Sequence, residues 1–262
     1  MKYTLITGAS GGIGEAFARR LASEKHNLVL VARSEDKLRA LCDELAAKHQ
    51  ISCRYFALDL LERGADAQLY DETEKNGLEI DWLINNAGFG SGGDFAKLDR
   101  ERELQIIDLN ISALVALTHR YLQRMRAAKR GTIINVSSAA GFQPIPFMAT
   151  YAASKAFVSS FSEAIAEENR PYGIRILALC PGSTKTNFFQ AANIERPIQV
   201  KGQQTVEDVV DTAMKAIAGT KTKVVSGWAN YLGSIAGTLV PNSISSRVMA
   251  KALRSRYQKT DV

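Results

Sequence analysis

The chain has 262 residues, 46% of them hydrophobic, enough to bury a full core as one large domain or two small ones. Three cysteines (Cys42, Cys53, Cys180) without C-x-x-C spacing and three histidines (His26, His49, His119) without ligand spacing speak against a disulfide framework and against a metal centre. The net charge of +6 is uneven: residues 247–262 set Arg247, Lys251, Arg254, Arg256 and Lys259 against Asp261 alone, which leaves only +2 for the remaining chain. No interleaving of aromatic and basic residues suits a nucleic-acid groove, so no nucleic-acid partner is expected.

Taken in chain order, apolar β-branched runs alternate with longer helical patterns. Strands are predicted at Tyr3–Thr7, Asn27–Ala32, Ser52–Ala57, Trp82–Asn85, Thr132–Val136, Ile174–Leu179 and Lys223–Ser226. Helices are predicted at about 13–24, 35–48, 62–76, 100–128, 150–170 and 205–218. That alternation predicts an α/β protein with a doubly wound, seven-stranded parallel sheet of the Rossmann type and helices on both faces. With no linker, repeat or low-complexity run, residues 1–262 are expected to form a single domain, with a core over 1–226 and a helical segment over 227–262. Met1-Lys2 leads directly into a strand pattern, so no signal peptide is expected and the expected compartment is cytoplasmic.

Every candidate motif falls at the carboxyl end of a predicted strand, where such folds bind ligands. The first strand runs into Thr7-Gly8-Ala9-Ser10-Gly11-Gly12-Ile13-Gly14 and then a helix. Glycines permit a tight turn and close backbone approach, and a helix N-terminus offers free N–H groups to a pyrophosphate. The second strand ends Val31-Ala32-Arg33-Ser34, with no carboxylate where NAD-binding sites hold the ribose hydroxyls. Arg33 can pair with a 2′-phosphate and Ser34 can add a hydroxyl, which favours NADP(H). Asp59 and Leu60 follow the third strand and can meet the adenine edge, and Asn85-Asn86-Ala87-Gly88 follows the fourth with small residues that let a cofactor lie against backbone.

Tyr151 and Lys155 are four residues apart in Tyr-Ala-Ala-Ser-Lys, so a helix places them on one face. A unit charge about 4 Å from the phenol at an effective dielectric near 20 is worth ~4 kcal/mol. That is enough to carry a hydroxyl that titrates near ~10 towards neutrality, where it can give or take a proton.

Together these residues resemble the short-chain dehydrogenase/reductase family, over about residues 2–226. The resemblance rests on Thr-Gly-x-x-x-Gly-x-Gly, Asn-Asn-Ala-Gly, a serine thirteen residues before the tyrosine, Tyr-x-x-x-Lys and a later Pro-Gly. Ala32-Arg33-Ser34 resembles its NADP-preferring branch. The resemblance implies Tyr151 as general acid or base and Lys155 as the residue that lowers the tyrosine pKa and binds nicotinamide ribose. It implies Ser138, rather than Ser137, as the hydrogen-bond donor to the substrate oxygen, and Asn110 as the holder of a water beside Lys155. After the sixth strand, Pro181, Gly182, Thr184 and Thr186 are implied to bind the nicotinamide carboxamide. The cofactor set is thus Gly8, Ser10, Gly12, Ile13, Gly14, Arg33, Ser34, Asp59, Leu60, Asn86, Ala87, Gly88, Tyr151, Lys155 and this last turn.

For substrate, Phe142 in Gly141–Met148 and Phe188 in Asn187–Gln190 are expected to line the pocket with Ser138 and Tyr151, and 187–203 to form a lid. Both segments lack clustered Arg or Lys, which suits an apolar ketone, aldehyde or acyl-type substrate. Trp228, Tyr231, Leu232, Ile235 and Leu239 form a helical stripe expected to pack on the pocket or on a subunit neighbour. The family implies a homodimer or homotetramer. The basic C-terminal helix reads as a solvated helix end rather than a membrane contact. The competing functional class is a non-catalytic NADP(H)-binding regulator; its signature, a broken Ser–Tyr–Lys set, is absent from the sequence.

Overall fold

Seven apolar runs become seven parallel strands in the computed structural model, which describes residues 1–186 and 203–257. They are β1 (Lys2–Thr7), β2 (Asn27–Ala32), β3 (Cys53–Ala57), β4 (Glu79–Asn85), β5 (Gly131–Val136), β6 (Ile174–Cys180) and β7 (Lys223–Val225). Their order in the sheet is β3-β2-β1-β4-β5-β6-β7, so the winding reverses between β1 and β4. There Leu5 pairs with Val29 on one side and with Leu83 on the other, after a register shift between Tyr3 and Thr4 in the β1–β4 pair.

The strands read as near-continuous apolar runs because both faces are covered. Successive side chains alternate between two cores. Ile6, Leu28, Leu30, Ile84, Ile134 and Leu177 point to the face covered by α1 (Gly12–Ser23), α2 (Glu35–His49) and the helix at Val206–Ala218. Leu5, Val29, Leu83, Ile133 and Ile176 point to the face covered by α3 (Ala65–Lys75), the helix at Leu114–Ala128 and the helix at Ala149–Asn169.

The predicted single helix over 100–128 is three pieces: α4 (Arg100–Ile107), a π-helical turn at Asp108–Ala113, and α5 (Leu114–Ala128). The apolar periodicity continues through the junction, so hydrophobic pattern alone gives no sign of the wider turn. Beyond it come α6 (Ala149–Asn169), α7 (Val206–Ala218), α8 (Trp228–Leu239) and α9 (Asn242–Tyr257). Thr205 starts α7 with a capping box in which its hydroxyl accepts from Asp208 N while Asp208 accepts from Thr205 N.

Candidate active site

The carboxyl ends of β1, β2, β4, β5 and β6 open on one cavity of about 820 Å³. The glycine turn forms its floor. Gly8 and Gly12 have φ of +66° and +58°, values that a side chain would strain. Thr7 Oγ1 accepts from Asn86 N and Ala87 N at 3.0 Å, and Asn86 Nδ2 donates to Thr7 O and Gly8 O. The Asn-Asn-Ala-Gly segment is therefore the clamp that holds the glycine turn against the end of β4. Asn85 continues the clamp inward, donating to Asn135 Oδ1 and Thr118 Oγ1, while Asn135 donates to Ser162 Oγ.

Gly14 does not face the cavity. A Cβ there would lie 2.3 Å from Gly8 O, so this glycine lets α1 start close against the turn, a packing role rather than the ligand contact expected from sequence.

At one end of the cavity stand Arg33, Ser34, Asp59 and Leu60, as expected, joined by Lys37 from the first turns of α2. The Arg33 side chain is 74% exposed and its Nη1 lies 3.8 Å from Asp59 Oδ2. In the middle lie Ser10, Gly12, Ile13, Ala87 and Gly88. At the other end Ser138, Tyr151, Lys155, Pro181, Gly182, Thr184 and Thr186 converge. The fit to a dinucleotide is physical: a cationic end, a floor where Gly11 has open space around its missing Cβ, and a hydroxyl-rich far end. Among the described residues no group of His, Cys, Asp or Glu could hold a metal ion.

The end that holds Ser138, Tyr151 and Lys155 is braced where β5 and α6 are joined at several points. Ser137 and Ser138 both line the cavity, but the Ser137 hydroxyl is engaged in packing β5 on α6: Ser137 Oγ donates to Lys155 O at 2.6 Å and contacts Ser159 Oγ at 2.8 Å. A Cβ on Gly141 would lie 2.7 Å from Lys155 C, so the turn at Ala139–Phe142 rests directly on the α6 backbone. Ser138 Oγ accepts from Ala140 N at 3.1 Å and is hydrogen-bonded to Tyr151.

The electrostatics differ from the sequence expectation. Burial pushes the Tyr151 hydroxyl up to about 12, with the Ser138 hydrogen bond opposing that rise. Lys155 Nζ sits 5.8 Å from the Tyr151 ring centroid and donates to Val136 O at 2.9 Å. Burial lowers its own pKa to about 8. Desolvation of both groups outweighs the attraction estimated for a pair about 4 Å apart in a polarisable medium.

Comparison with known proteins places these residues in a family. The short chain dehydrogenase family matches residues 2–197. The chain is 30% identical over 268 residues to the very-long-chain 3-oxoacyl-CoA reductase of Mus musculus, covering 98% of this chain and 82% of that protein. This chain belongs to the short-chain dehydrogenases. A solved short-chain dehydrogenase from Sphingobium yanoikuyae in complex with NADPH superposes with a TM-score of 0.83 at 29% identity, covering 100% of this chain and 98% of the other. A 7beta-hydroxysteroid dehydrogenase superposes with a TM-score of 0.86 at 27% identity, over 95% and 96% of the two chains.

One further expectation for this short-chain dehydrogenase, the placing of Phe142 in the pocket, is corrected by its structure, and Asn110 and the α8 stripe take definite positions. Asn110, in the π turn, is buried with its side chain committed: Nδ2 donates to Phe89 O and Ser154 Oγ, and Oδ1 accepts from Phe89 N. Its amide thus pins the Gly88–Phe89 loop to α6. Phe142 does not line the cavity; its ring lies under the Lys223 ammonium at 5.3 Å and belongs to a separate groove beside Trp228 and Tyr231. The turn at 139–142 swings it outward, so proximity in sequence to Ser138 misplaces it. Of the two expected positions for the α8 stripe, the pocket is ruled out, because the small residues Ser234 and Gly237 form the inward face and the stripe points outward. Phe188 and the lid, apart from Gln203, lie outside the described residues.

Sequence reasoning also missed residues that the fold brings to the cavity: Lys37, Phe89, Arg102, Gln105, Asn230 and Tyr257. The Arg102 guanidinium lies 4.0 Å above the Phe89 ring, so the substrate end carries a cation despite the lack of one in the two segments expected to line it. Lys37 had a readable signal, four residues past Arg33. The others are brought in by tertiary packing alone.

Proposed function

We propose that this short-chain dehydrogenase interconverts a carbonyl and an alcohol with NADP(H), reducing a mainly apolar ketone, aldehyde or acyl-type compound with Tyr151 as proton donor. The observation that carries the reading is one cavity with Arg33 and Lys37 at one end and Ser138, Tyr151 and Lys155 at the other. When bound, the dinucleotide supplies the hydride. As the substrate oxygen gains negative charge, Ser138 stabilises it by a hydrogen bond and Tyr151 gives it a proton. Lys155 keeps a positive charge near the phenolate that Tyr151 leaves. Pro181, Gly182, Thr184 and Thr186 bind the carboxamide end, with Thr184 Oγ1 donating to Gly182 O at 2.9 Å to hold the turn.

Phe89, Leu109, Ile145 and Met148 give the substrate end an apolar lining, with Arg102 and Gln105 among them. That combination fits a bulky apolar carbonyl compound with one polar end. The named relatives, a 3-oxoacyl-CoA reductase and a hydroxysteroid dehydrogenase, point to long acyl thioesters and steroid-like ketones as first candidates. The test is a titration with NADPH and NADH followed by a screen of such carbonyl compounds for loss of NADPH absorbance. Tight NADPH binding with turnover supports the reading; binding without turnover across the panel favours the regulatory alternative, and no binding of either nucleotide refutes both.

A further inference from the structure

Helix α8 packs with its small side inward: a Cβ on Gly237 would lie 2.9 Å from Gln143 Oε1. Its large apolar side chains point away from the protein, with Trp228 and Leu239 each 78% exposed and Tyr231 and Leu232 exposed beside them. Helix α9 extends the patch through Ile244 and Val248, the latter 66% exposed. Arg247, Lys251 and Arg254 are exposed on the same helix.

The charge is one-sided. Between Asp211 and Asp261 the sequence has no acidic residue and eight Lys or Arg, so all the other residues together carry a net −2. A folded protein rarely leaves a contiguous apolar patch of this kind uncovered. Exposed Trp and Tyr beside aliphatic residues and cations have the composition of a helix lying in a bilayer interface.

We propose that the α8–α9 face docks onto an anionic lipid surface, lying in the interface plane. No described helix is long and apolar enough to cross a membrane. Charge selects this occupant over a second copy of the chain. A two-fold interface would set each patch against itself, bringing Arg247, Lys251 and Arg254 towards their own copies with no acidic residue of the patch to neutralise them. An anionic headgroup layer neutralises them directly.

The docked helices also form one wall of the cavity. Asn230 of α8 and Tyr257 of α9 line it, and the Tyr257 ring stacks on Phe147 with centroids 5.2 Å apart. An apolar substrate dissolved in the bilayer would then lie beside the site. That consequence rests on the function proposed above, whereas docking itself does not.

The experiment is flotation of the full chain with vesicles of phosphatidylcholine alone and of phosphatidylcholine with phosphatidylglycerol, at low and high salt. The chain should float with the anionic vesicles, stay behind with the neutral ones, and be released by salt. Each basic residue near the surface is worth about fivefold in partitioning, so joint Arg247→Glu and Lys251→Glu should reduce binding by at least about 25-fold. Trp228→Ser with Leu239→Ser should also weaken it and remove the blue shift of tryptophan emission on vesicles. No flotation with anionic vesicles overturns the proposal, as does equal flotation with both kinds. A dimer in light scattering that these same variants dissociate, with no vesicle binding, would assign the face to a second copy. All readouts are made without turnover, so their failure leaves the oxidoreductase reading standing.

Discussion

Arg33→Ala tests the cofactor end of the cavity. A 2′-phosphate carries close to two negative charges, and a guanidinium at contact distance in nearly full water gains ~1 kcal/mol for each of them. Hydrogen bonds to charged groups contribute about 1.5–3 kcal/mol. Because Arg33 is 74% exposed and already faces Asp59 at 3.8 Å, the lower part of that range applies. The expected loss is about 2 kcal/mol, or roughly 30-fold in the NADPH dissociation constant. Lys37→Ala removes a point charge at the same end and should weaken NADPH by only about fivefold, since ~1 kcal/mol corresponds to that factor. NADH lacks the phosphate and should bind both variants nearly as well as the parent chain. The assay is calorimetric titration with each nucleotide at fixed ionic strength, because the effect is screened by salt. If the two cofactors weaken equally, Arg33 contacts something common to both and the phosphate assignment fails.

Tyr151→Phe should lower turnover by about 10²–10⁴-fold while NADPH affinity changes little, and retained turnover would remove Tyr151 as the proton donor. Met148→Ala should change KM for apolar carbonyl compounds, whereas Phe142→Ala should leave it unchanged because that ring lies in a separate groove; the reverse result would restore the sequence expectation. Arg102→Met should raise KM for substrates with an anionic end more than for neutral ketones of the same size, and equal effects would confine Arg102 to packing on Phe89. Lys155 has its pKa lowered on folding, so its burial penalty is full below about pH 8, fades as pH rises, and is gone above about 10.5. Lys155→Met removes a penalty of about 3 kcal/mol and strands the Val136 carbonyl for about 1 kcal/mol, so the ligand-free variant should melt higher than the parent at pH 7. Melting temperatures should converge by about pH 10; a difference independent of pH would refute the lowered value.

The fold was legible because parallel strands buried on both faces must be apolar and short, and their turns must carry glycine. All seven predicted strands are present, with ends moved by no more than three residues. The site residues at strand ends were legible for the same reason: β1, β2, β4, β5 and β6 deliver Gly8, Arg33, Asn86, Ser138 and Pro181 to one edge. What escaped was set by side-chain direction and packing. Phe142 is four residues from Ser138, yet a single tight turn sends it to another groove. Asn110 lies in a π turn whose amide bonds to a loop 21 residues earlier, a partner no local pattern names. The α8 stripe is legible as a stripe, and its outward direction, one of the two the pattern allows, is decided by packing: Gly237 sits against Gln143 where Trp228 or Leu232 could not.

The titration behaviour of the catalytic end bears on direction. A phenol near 12 and an ammonium near 8 both hold their protons at neutral pH, so the resting site is an acid with a cation beside it. That state serves reduction, which needs a proton delivered and the resulting phenolate stabilised. Alcohol oxidation needs the phenolate first, and burial opposes its formation. As pH rises through about 8 the Lys155 charge is lost, and with it the stabilisation of the phenolate left after proton transfer. Carbonyl reduction should therefore fall on the alkaline side with a limb near that value, set by Lys155 rather than by the tyrosine itself. The hydrogen bond from Ser138 and the Val136 carbonyl under Lys155 hold both groups in place, so the same packing that costs stability also keeps the proton where reduction needs it.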